Sequence, residues 1–180
     1  ADILKTAADS YTSTIEYAET GIAQSLRGMA QVIFKGLGTR VLYTSQGGYD
    51  THANQVSVQT PLLSDLSAGI GDFFADLSEH DAADNVMMLV FTEFGRRVKD
   101  NGSGSDHGSG GGCYLIGQPV KGGTLGDYPS LKEEDQLDGD LHFNVDFRSV
   151  YSTIVDKWLG LDAQTAIGGN YETLDFVRSN

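Results

Sequence analysis

Apolar residues at helical spacing mark the first clear element of the chain. The positions are Ile22, Leu26, Met29, Ile33 and Phe34. They recur every three or four residues, which is typical of one face of an amphipathic helix, and Gly36 and Gly38 after them are stop signals. A looser apolar spacing over residues 1 to about 18 predicts another helix before this one.

A broader apolar stripe predicts a second long helix. Its positions are Leu62, Leu63, Leu66, Ile70, Phe73, Phe74 and Leu77. Pro61 marks either the first turn of this helix or a kink in it, because proline fixes φ and lacks the N–H of a helical hydrogen bond. The polar cluster at residues 78–85 closes the helix.

Three short segments read as strands. Residues 40–44 are β-branched and aromatic, and residues 113–116 (CYLI) resume after a run of glycines. Residues 86–91 (VMMLVF) form a continuous apolar run, which is typical of a strand buried on both faces of a parallel sheet. The segment at 101–112 (NGSGSDHGSGGG) is so rich in Gly and Ser that it predicts a loop.

The carboxyl-terminal third begins with an irregular, acidic stretch at residues 117–142. Asp146 then is the predicted N-cap of a further helix, with Gly160 at its C-cap and a loop with a short closing segment after it. Helices that alternate with buried strands predict an α/β sandwich with a mainly parallel sheet. We expect a single α/β domain over residues 1–180, or the carboxyl-terminal part of one.

Charge and composition narrow the classes of partner. The chain has 180 residues, 39% of them hydrophobic, and a formal net charge of −13. Such a chain repels phosphate backbones, so we expect no nucleic-acid partner. The sequence has no run of 18 apolar residues, so we expect no membrane insertion. Cys113 is the single cysteine, which excludes an internal disulfide. The acidic charge favours cation binding, although ordinary surface solubilisation explains it as well.

Two loops carry residue pairs that could bind a metal ion. Asp50 and His52 offer an oxygen and an imidazole nitrogen beside glycines that let the backbone bend around an ion. Asp50 could instead cap the following helix, with His52 in its first turn. Asp106 and His107 form a second pair in a glycine-rich loop, and a solvated loop is the alternative reading there.

Glu93 and Arg96 are the candidate catalytic residues. Both follow the most apolar predicted strand, where a carboxylate could act as general base or metal ligand and a guanidinium could hold an oxyanion. The alternative is an ion pair of Glu93 with Arg96 or Arg97 that fixes the loop. His142 is a weak candidate for a third imidazole, and His80 is read as a surface residue.

Familiar nucleophile and phosphate-binding motifs are missing from the sequence. It contains no G-x-S-x-G, and its glycine run at 108–112 precedes a strand instead of following one, unlike a phosphate-binding loop. The residues therefore identify no nucleophile.

Several motifs in one order resemble the DUF1501 family over nearly the whole chain. They are GGYDTHANQ, TEFGRRVKDNGSGSDHG, VKGG at residues 120–123, VDFRSVY and WLG. Members of that family are typically exported bacterial proteins, related to the alkaline phosphatase and sulfatase superfamily and usually about twice this long. The resemblance implies a three-layer α/β/α, alkaline-phosphatase-like sandwich, a periplasmic or secreted location, and an amino-terminal chain segment that precedes this sequence.

The resemblance also implies a two-metal site. Asp50 and His52 look like the ligands of one ion, and Asp106 and His107 like those of the other, although the superfamily's usual first pair is spaced D-x-x-x-H. The implied function is metal-dependent hydrolysis of a small anionic phosphate or sulfate ester, with zinc, manganese, magnesium or calcium as the divalent ion. The alternative is a non-catalytic exported binding or surface-assembly protein that retains the fold.

Overall fold

The computed structural model describes residues 11–178, and the chain divides into two compact units, Ala1–Asn85 and Val86–Asn180. The first ten residues of the helix predicted over residues 1 to about 18 lie outside this range. Residues 11–18 are not helical, so the prediction is wrong there. The expectation of one domain, or the carboxyl-terminal part of one, stays a prediction.

Two helices pack together in the first unit. Helix α1 (Gly21–Phe34) begins at the cap Thr20, whose side chain accepts a hydrogen bond from the Ala23 N–H, and it confirms the predicted amphipathic helix. Helix α2 (Gln55–Glu79) is longer than predicted and begins six residues before Pro61, which therefore lies beyond the first turn. A Cβ on Gly69 would lie 3.4 Å from the Ala23 Cα, so the two helices approach closely at this point.

The core of the first unit lies between these helices. Its buried apolar residues are Tyr17, Ile22, Ala23, Leu26, Ala30, Phe73 and Leu77. Removing these side chains from water is the main stabilising contribution to the helix pair. Ile22, Leu26, Phe73 and Leu77 of the predicted stripes belong to this core, whereas Leu63 of the second stripe is 52% exposed.

The strand predicted at residues 40–44 is wrong, because residues 37–54 contain neither helix nor strand. The end of this segment is held along α2 by side chains. Gln46 Nε2 donates to the Leu62 carbonyl over 3.3 Å, and Gln59 Nε2 donates to the Tyr49 carbonyl over 3.1 Å. β-Branched composition favours a strand only where a partner strand and a face to cover exist.

The second unit contains two antiparallel two-stranded sheets. Strand β1 (Met88–Val90) pairs with β4 (Tyr114–Ile116), with Met88 opposite Ile116. Strand β2 (Gly95–Asp100) pairs with β3 (Ser105–Gly108) in a hairpin. The strand predicted at 113–116 is confirmed, and the loop predicted over 101–112 is wrong for the four residues of β3.

The predicted three-layer α/β/α sandwich with a mainly parallel sheet is wrong. Within residues 11–178 both sheets are antiparallel, and the described α-helices are α1, α2, α3 (Phe147–Thr153) and α4 (Ala163–Ile167). Parallel strands need a long crossover between them, whereas β2 and β3 are joined by four residues. The apolar run at 86–91 is half-buried or exposed instead of buried on both faces.

The N-cap predicted at Asp146 is confirmed. Asp146 accepts a hydrogen bond from the Arg148 N–H at the start of α3, and the helix runs on into a π-helical turn, Ile154–Trp158. A turn of 3-10 helix forms at Glu133–Asp135 in the irregular stretch, and another at Ala83–Asn85. In the part of the chain that the structure describes, none of the helices is both long and apolar enough to cross a membrane.

Glycines let the backbone of the β2–β3 hairpin approach its surroundings closely. Gly95 and Gly108 face each other across the two strands. A Cβ on Gly95 would lie 1.7 Å from the Gly110 carbonyl oxygen, and a Cβ on Gly108 would lie 2.6 Å from the Asp140 Oδ1. Neither distance is possible for a real Cβ, so both positions require glycine.

We predict that Gly95→Ala destabilises the chain by at least about 1–3 kcal/mol, the usual range for overpacking, because the clash is with backbone. Gly112→Ala is the matched control, since its Cβ would meet no described heavy atom within 4 Å. Urea unfolding of both variants measures the difference. Equal midpoints for the two variants would contradict the close approach.

Candidate functional site

The β2–β3 hairpin places two predicted site residues and a nearby phenylalanine on one face. Arg96 lies opposite His107 in the register, and Phe94 lies two residues before Arg96. Side chains two residues apart in an extended chain share a face, and diagonal neighbours across a strand pair are within reach of aromatic rings. The hairpin therefore brings Phe94, Arg96 and His107 into one group.

The contacts within this group are close. The rings of Phe94 and His107 are stacked, with centroids 3.8 Å apart and 10° between their planes. The guanidinium carbon of Arg96 lies 5.0 Å from the Phe94 centroid, and Arg96 Nη1 donates to the Ser105 carbonyl over 2.6 Å. An imidazole and a cation are thus held beside one phenyl ring, a combination suited to a metal ion or an anionic group.

Asp106 is directed differently from His107. Neighbouring residues of a strand present their side chains to opposite faces, and Asp106 Oδ1 lies 3.3 Å from the Asn101 Nδ2 that donates to it. Asn101 also orders the tight turn of the hairpin, because its Oδ1 accepts from the Gly104 N–H over 2.9 Å. The predicted Asp106 and His107 pair is therefore adjacent in sequence but divided between two faces.

Glu93 lies just before the hairpin and is exposed. Thr92 Oγ1 donates to its carboxylate over 3.4 Å. The neighbouring Arg97 turns toward the segment at 138–140 instead, where its Nη1 donates to the Asp138 carbonyl over 3.3 Å. The catalytic roles of Glu93 and Arg96 stay predictions.

Asp50 and His52 form a close pair in the first unit. Asp50 Oδ1 lies 3.1 Å from His52 Nε2, and both side chains are at least half exposed. Thr51 between them is buried, and its hydroxyl accepts a hydrogen bond from Gln59 Nε2 over 2.9 Å. Anchoring the middle residue to α2 leaves the two flanking side chains pointing outward together.

The backbone before this pair requires a glycine. Gly48 has φ +98°, which residues with a side chain rarely adopt, and a Cβ there would lie 3.0 Å from the Leu62 Cδ1. Two ligands of a tetrahedral zinc ion lie about 3.3 Å apart, given metal–ligand distances of about 2.0–2.1 Å. The spacing of 3.1 Å between Asp50 and His52 suits two ligands of one ion, and equally a direct ion pair.

A family comparison supports the motif resemblance. Residues 7–172 match the family described as "Protein of unknown function (DUF1501)". The chain belongs to the DUF1501 family. No curated protein and no solved structure matches it.

In this DUF1501 chain, the weak candidate His142 and the predicted cap Asp146 lie in different surroundings. His142 is exposed, as expected for a surface histidine. Asp146 caps α3 and also accepts from the Arg148 guanidinium, with Nη2 to Oδ2 at 2.6 Å. These hydrogen bonds from Arg148 hold the pKa of Asp146 below its usual range. Asp146 is therefore occupied as a structural cap.

The sequence reasoning missed a polar cluster around a buried carboxylate, which we call the Asp76 clamp: Tyr11, Tyr17, Asp76 and His80. Asp76 is fully buried at the end of α2, and both tyrosine hydroxyls donate to its Oδ2, that of Tyr17 over 2.9 Å. His80 Nδ1 lies 3.2 Å from the other carboxylate oxygen. The available signal was an acidic residue on the apolar stripe of α2, one turn before a histidine.

The clamp ties the segment before α1 to the end of α2. His80, predicted to be a surface residue, is 27% exposed, and its ring also stacks on Phe34 with centroids 4.1 Å apart. Its two ring nitrogens each lie 2.9 Å from a carbonyl oxygen, of Asp76 and of Thr12. Carbonyls only accept, so the imidazolium, which donates from both nitrogens, satisfies both.

These surroundings shift the pKa values of the clamp. Burial, with the hydrogen bond to Asp76, raises the pKa of Tyr11 to about 12 and raises that of Tyr17 further. The Asp76 carbonyl, then the Thr12 carbonyl and the nearby carboxylates, raise the pKa of His80 against the opposing effect of burial. Both tyrosines are therefore protonated donors at neutral pH.

We predict that Tyr11→Phe lowers the free energy of unfolding by about 1–3 kcal/mol, because the buried Asp76 carboxylate loses a donor. Tyr43→Phe is the control, since Tyr43 is 74% exposed, and it should change stability by less than about 0.5 kcal/mol. Urea unfolding at pH 7 is the measurement. If Tyr11→Phe changes the free energy of unfolding as little as the control does, the hydrogen bond from Tyr11 to Asp76 does not stabilise the fold.

A second prediction concerns pH. Because the folded-state pKa of His80 is raised, its stabilisation is present below the unfolded value of about 6.5 and is lost as pH rises through the folded value. We expect His80→Gln to lack this decline in stability with pH, whereas His142→Gln, at an exposed histidine, keeps it. Urea midpoints from about pH 5 to about pH 9 test this. The same pH slope in wild type and His80→Gln would contradict it.

Proposed function

We propose that this chain is part of an exported, metal-dependent hydrolase of phosphate or sulfate esters. The observation that supports it most directly is the exposed Asp50 and His52 pair, with 3.1 Å between Oδ1 and Nε2. This oxygen and nitrogen pair has the donor types and spacing of two ligands of one divalent ion. The shortened D-x-H spacing therefore still lets both residues serve a single ion.

The second unit contains, within itself, further groups that suit a metal ion or an anionic ester. His107 offers an imidazole, and Arg96, whose guanidinium lies over Phe94, offers a planar cation that matches the oxygens of a phosphoryl or sulfuryl group. Asp106, on the other face of β3, offers a further carboxylate. Glu93, exposed just before β2, is the candidate general base.

The divalent ion would stabilise charge on the transferring group and activate a hydroxyl or water nucleophile. Zinc suits the imidazole nitrogens, whereas manganese, magnesium or calcium suits the carboxylate oxygens. A bound ion also offsets the net charge of −13, which otherwise opposes an anionic ester. The nucleophile is assigned to the amino-terminal segment that the resemblance implies.

The proposals of export and of hydrolytic activity are supported by the motif resemblance, which implies a relationship to the alkaline phosphatase and sulfatase superfamily. GGYDTH supplies the first ligand pair and SDHG the second. The proposed location is the periplasm or the cell exterior, and the proposed substrate is a small anionic ester.

One observation favours a second candidate, a non-catalytic exported binding or surface-assembly protein. Strand alternation divides Asp106 from His107, so these neighbours do not converge on one ion in this arrangement. A protein with only part of the metal-ligand set could bind a partner or ligand without catalysing hydrolysis.

We predict that the full chain, incubated with zinc or manganese and then desalted, retains a divalent metal. Loss of a group that supports a metal ligand typically weakens metal binding by about 10–100-fold. The double variant Asp50→Ala with His52→Ala should weaken metal binding by more than this, because it removes direct ligands. Asp106→Ala with His107→Ala tests the second pair, and His142→Ala is the control at an exposed histidine. Plasma mass spectrometry of the metal content is the measurement.

The outcomes separate the two candidates. Metal lost in both double variants, with metal-dependent hydrolysis of nitrophenyl phosphate or sulfate, supports the hydrolase. Metal binding without hydrolysis of either ester favours the binding protein. Metal content that is the same in wild type, the double variants and the control rules out the proposed ligands.

A further inference from the structure

A phenyl ring outside the predicted ligand and catalytic set lies against His107. Phe94 precedes β2, and its ring is stacked on the imidazole with a centroid separation of 3.8 Å and an interplanar angle of 10°. The two side-chain torsions of a histidine give its imidazole rotational freedom unless neighbouring groups restrict them. The stacked ring limits that freedom, so the position of the imidazole depends on Phe94.

The stacking geometry is compatible with ligand binding by His107. A near-parallel stack takes up one face of the imidazole, whereas a metal ion binds in the plane of the ring, at a nitrogen on its edge. Stacking therefore restricts the ring without covering the position where an ion binds. A ligand held in its bound orientation loses less entropy on binding, which increases affinity.

The hairpin backbone determines where this ring lies. Gly95 follows Phe94 and faces Gly108, and close backbone contacts exclude a Cβ at both positions. The same register sets Arg96 opposite His107, so the diagonal Phe94 contact follows from it. Phe94 also lies 5.0 Å from the Arg96 guanidinium carbon, and one ring thus orients two polar groups.

We propose that Phe94 is a positioning residue that orients the His107 imidazole for metal binding and holds the Arg96 guanidinium beside it. This rests on the proposed function for the metal, whereas the effect of Phe94 on the histidine ring does not depend on it. Phe94 acts through His107 and Arg96 and need not contact the ion or the ester.

The test compares Phe94→Leu, which removes the ring, with Phe94→Tyr, which keeps it, in the full chain. Phe94→Met is a second ring-free variant if the leucine variant folds poorly. Phe91→Leu is the control, because Phe91 lies edge-on to Tyr151 with centroids 6.1 Å apart. Circular dichroism and urea unfolding confirm that each variant is folded.

The first measurement is the NMR shift of the His107 ring protons, assigned among the four histidines with His107→Gln. Stacking on Phe94 moves these protons upfield. Phe94→Leu should abolish that shift, whereas Phe94→Tyr and Phe91→Leu should keep it. An unchanged shift in Phe94→Leu overturns the positioning role, whether or not metal binds.

The second measurement is calorimetric titration with zinc alone. Phe94→Leu should weaken zinc binding by about 10–100-fold, the usual effect of losing a group that orients a ligand, and Phe94→Tyr should restore it. Zinc affinity equal to wild type in Phe94→Leu overturns the role in metal binding. If wild type binds no zinc, the proposed metal site fails, and the NMR shift still decides whether Phe94 positions His107.

Discussion

The register of the β2–β3 hairpin depends on two glycines that face each other across it. Gly95 and Gly108 let neighbouring backbone and the Asp140 carboxylate come within distances that a Cβ would block. Because side chains alternate along a strand, this register decides which residues share a face. Phe94, Arg96 and His107 meet on one side as a result, and Asp106 is directed to the other.

The helices could be predicted from the sequence because their periodic apolar stripes correspond directly to buried faces. Phe73 and Leu77 of α2 and Leu26 of α1 are buried, as the stripes indicate. Strand direction could not be predicted in the same way. A continuous apolar run is found in strands of either direction, and partner choice depends on connections that periodicity does not report.

The candidate sites, like the fold, could be predicted from the sequence only in part. The loop with Asp50 and His52 was located from its motif, but the anchoring of Thr51 by Gln59 depends on a tertiary contact. The segment with Asp106 and His107 reads as loop because glycine and serine rarely build strands. Glycines occur in this hairpin because its backbone packs too closely for a Cβ. Residue propensities count glycine only as a residue that disfavours strands, so they do not predict the hairpin. The stack of Phe94 on His107 therefore had no sequence signal.

The Asp76 clamp joins residues 65 positions apart, since Tyr11 donates to Asp76. Helices α1 and α2 can pair through a shorter loop, whereas the clamp closes a much longer one. A contact between residues far apart in sequence requires the closure of a long loop, which costs conformational entropy, so such contacts form late in folding. We therefore expect the clamp to form after the transition state, so that it slows the unfolding of this unit and has little influence on how fast it folds.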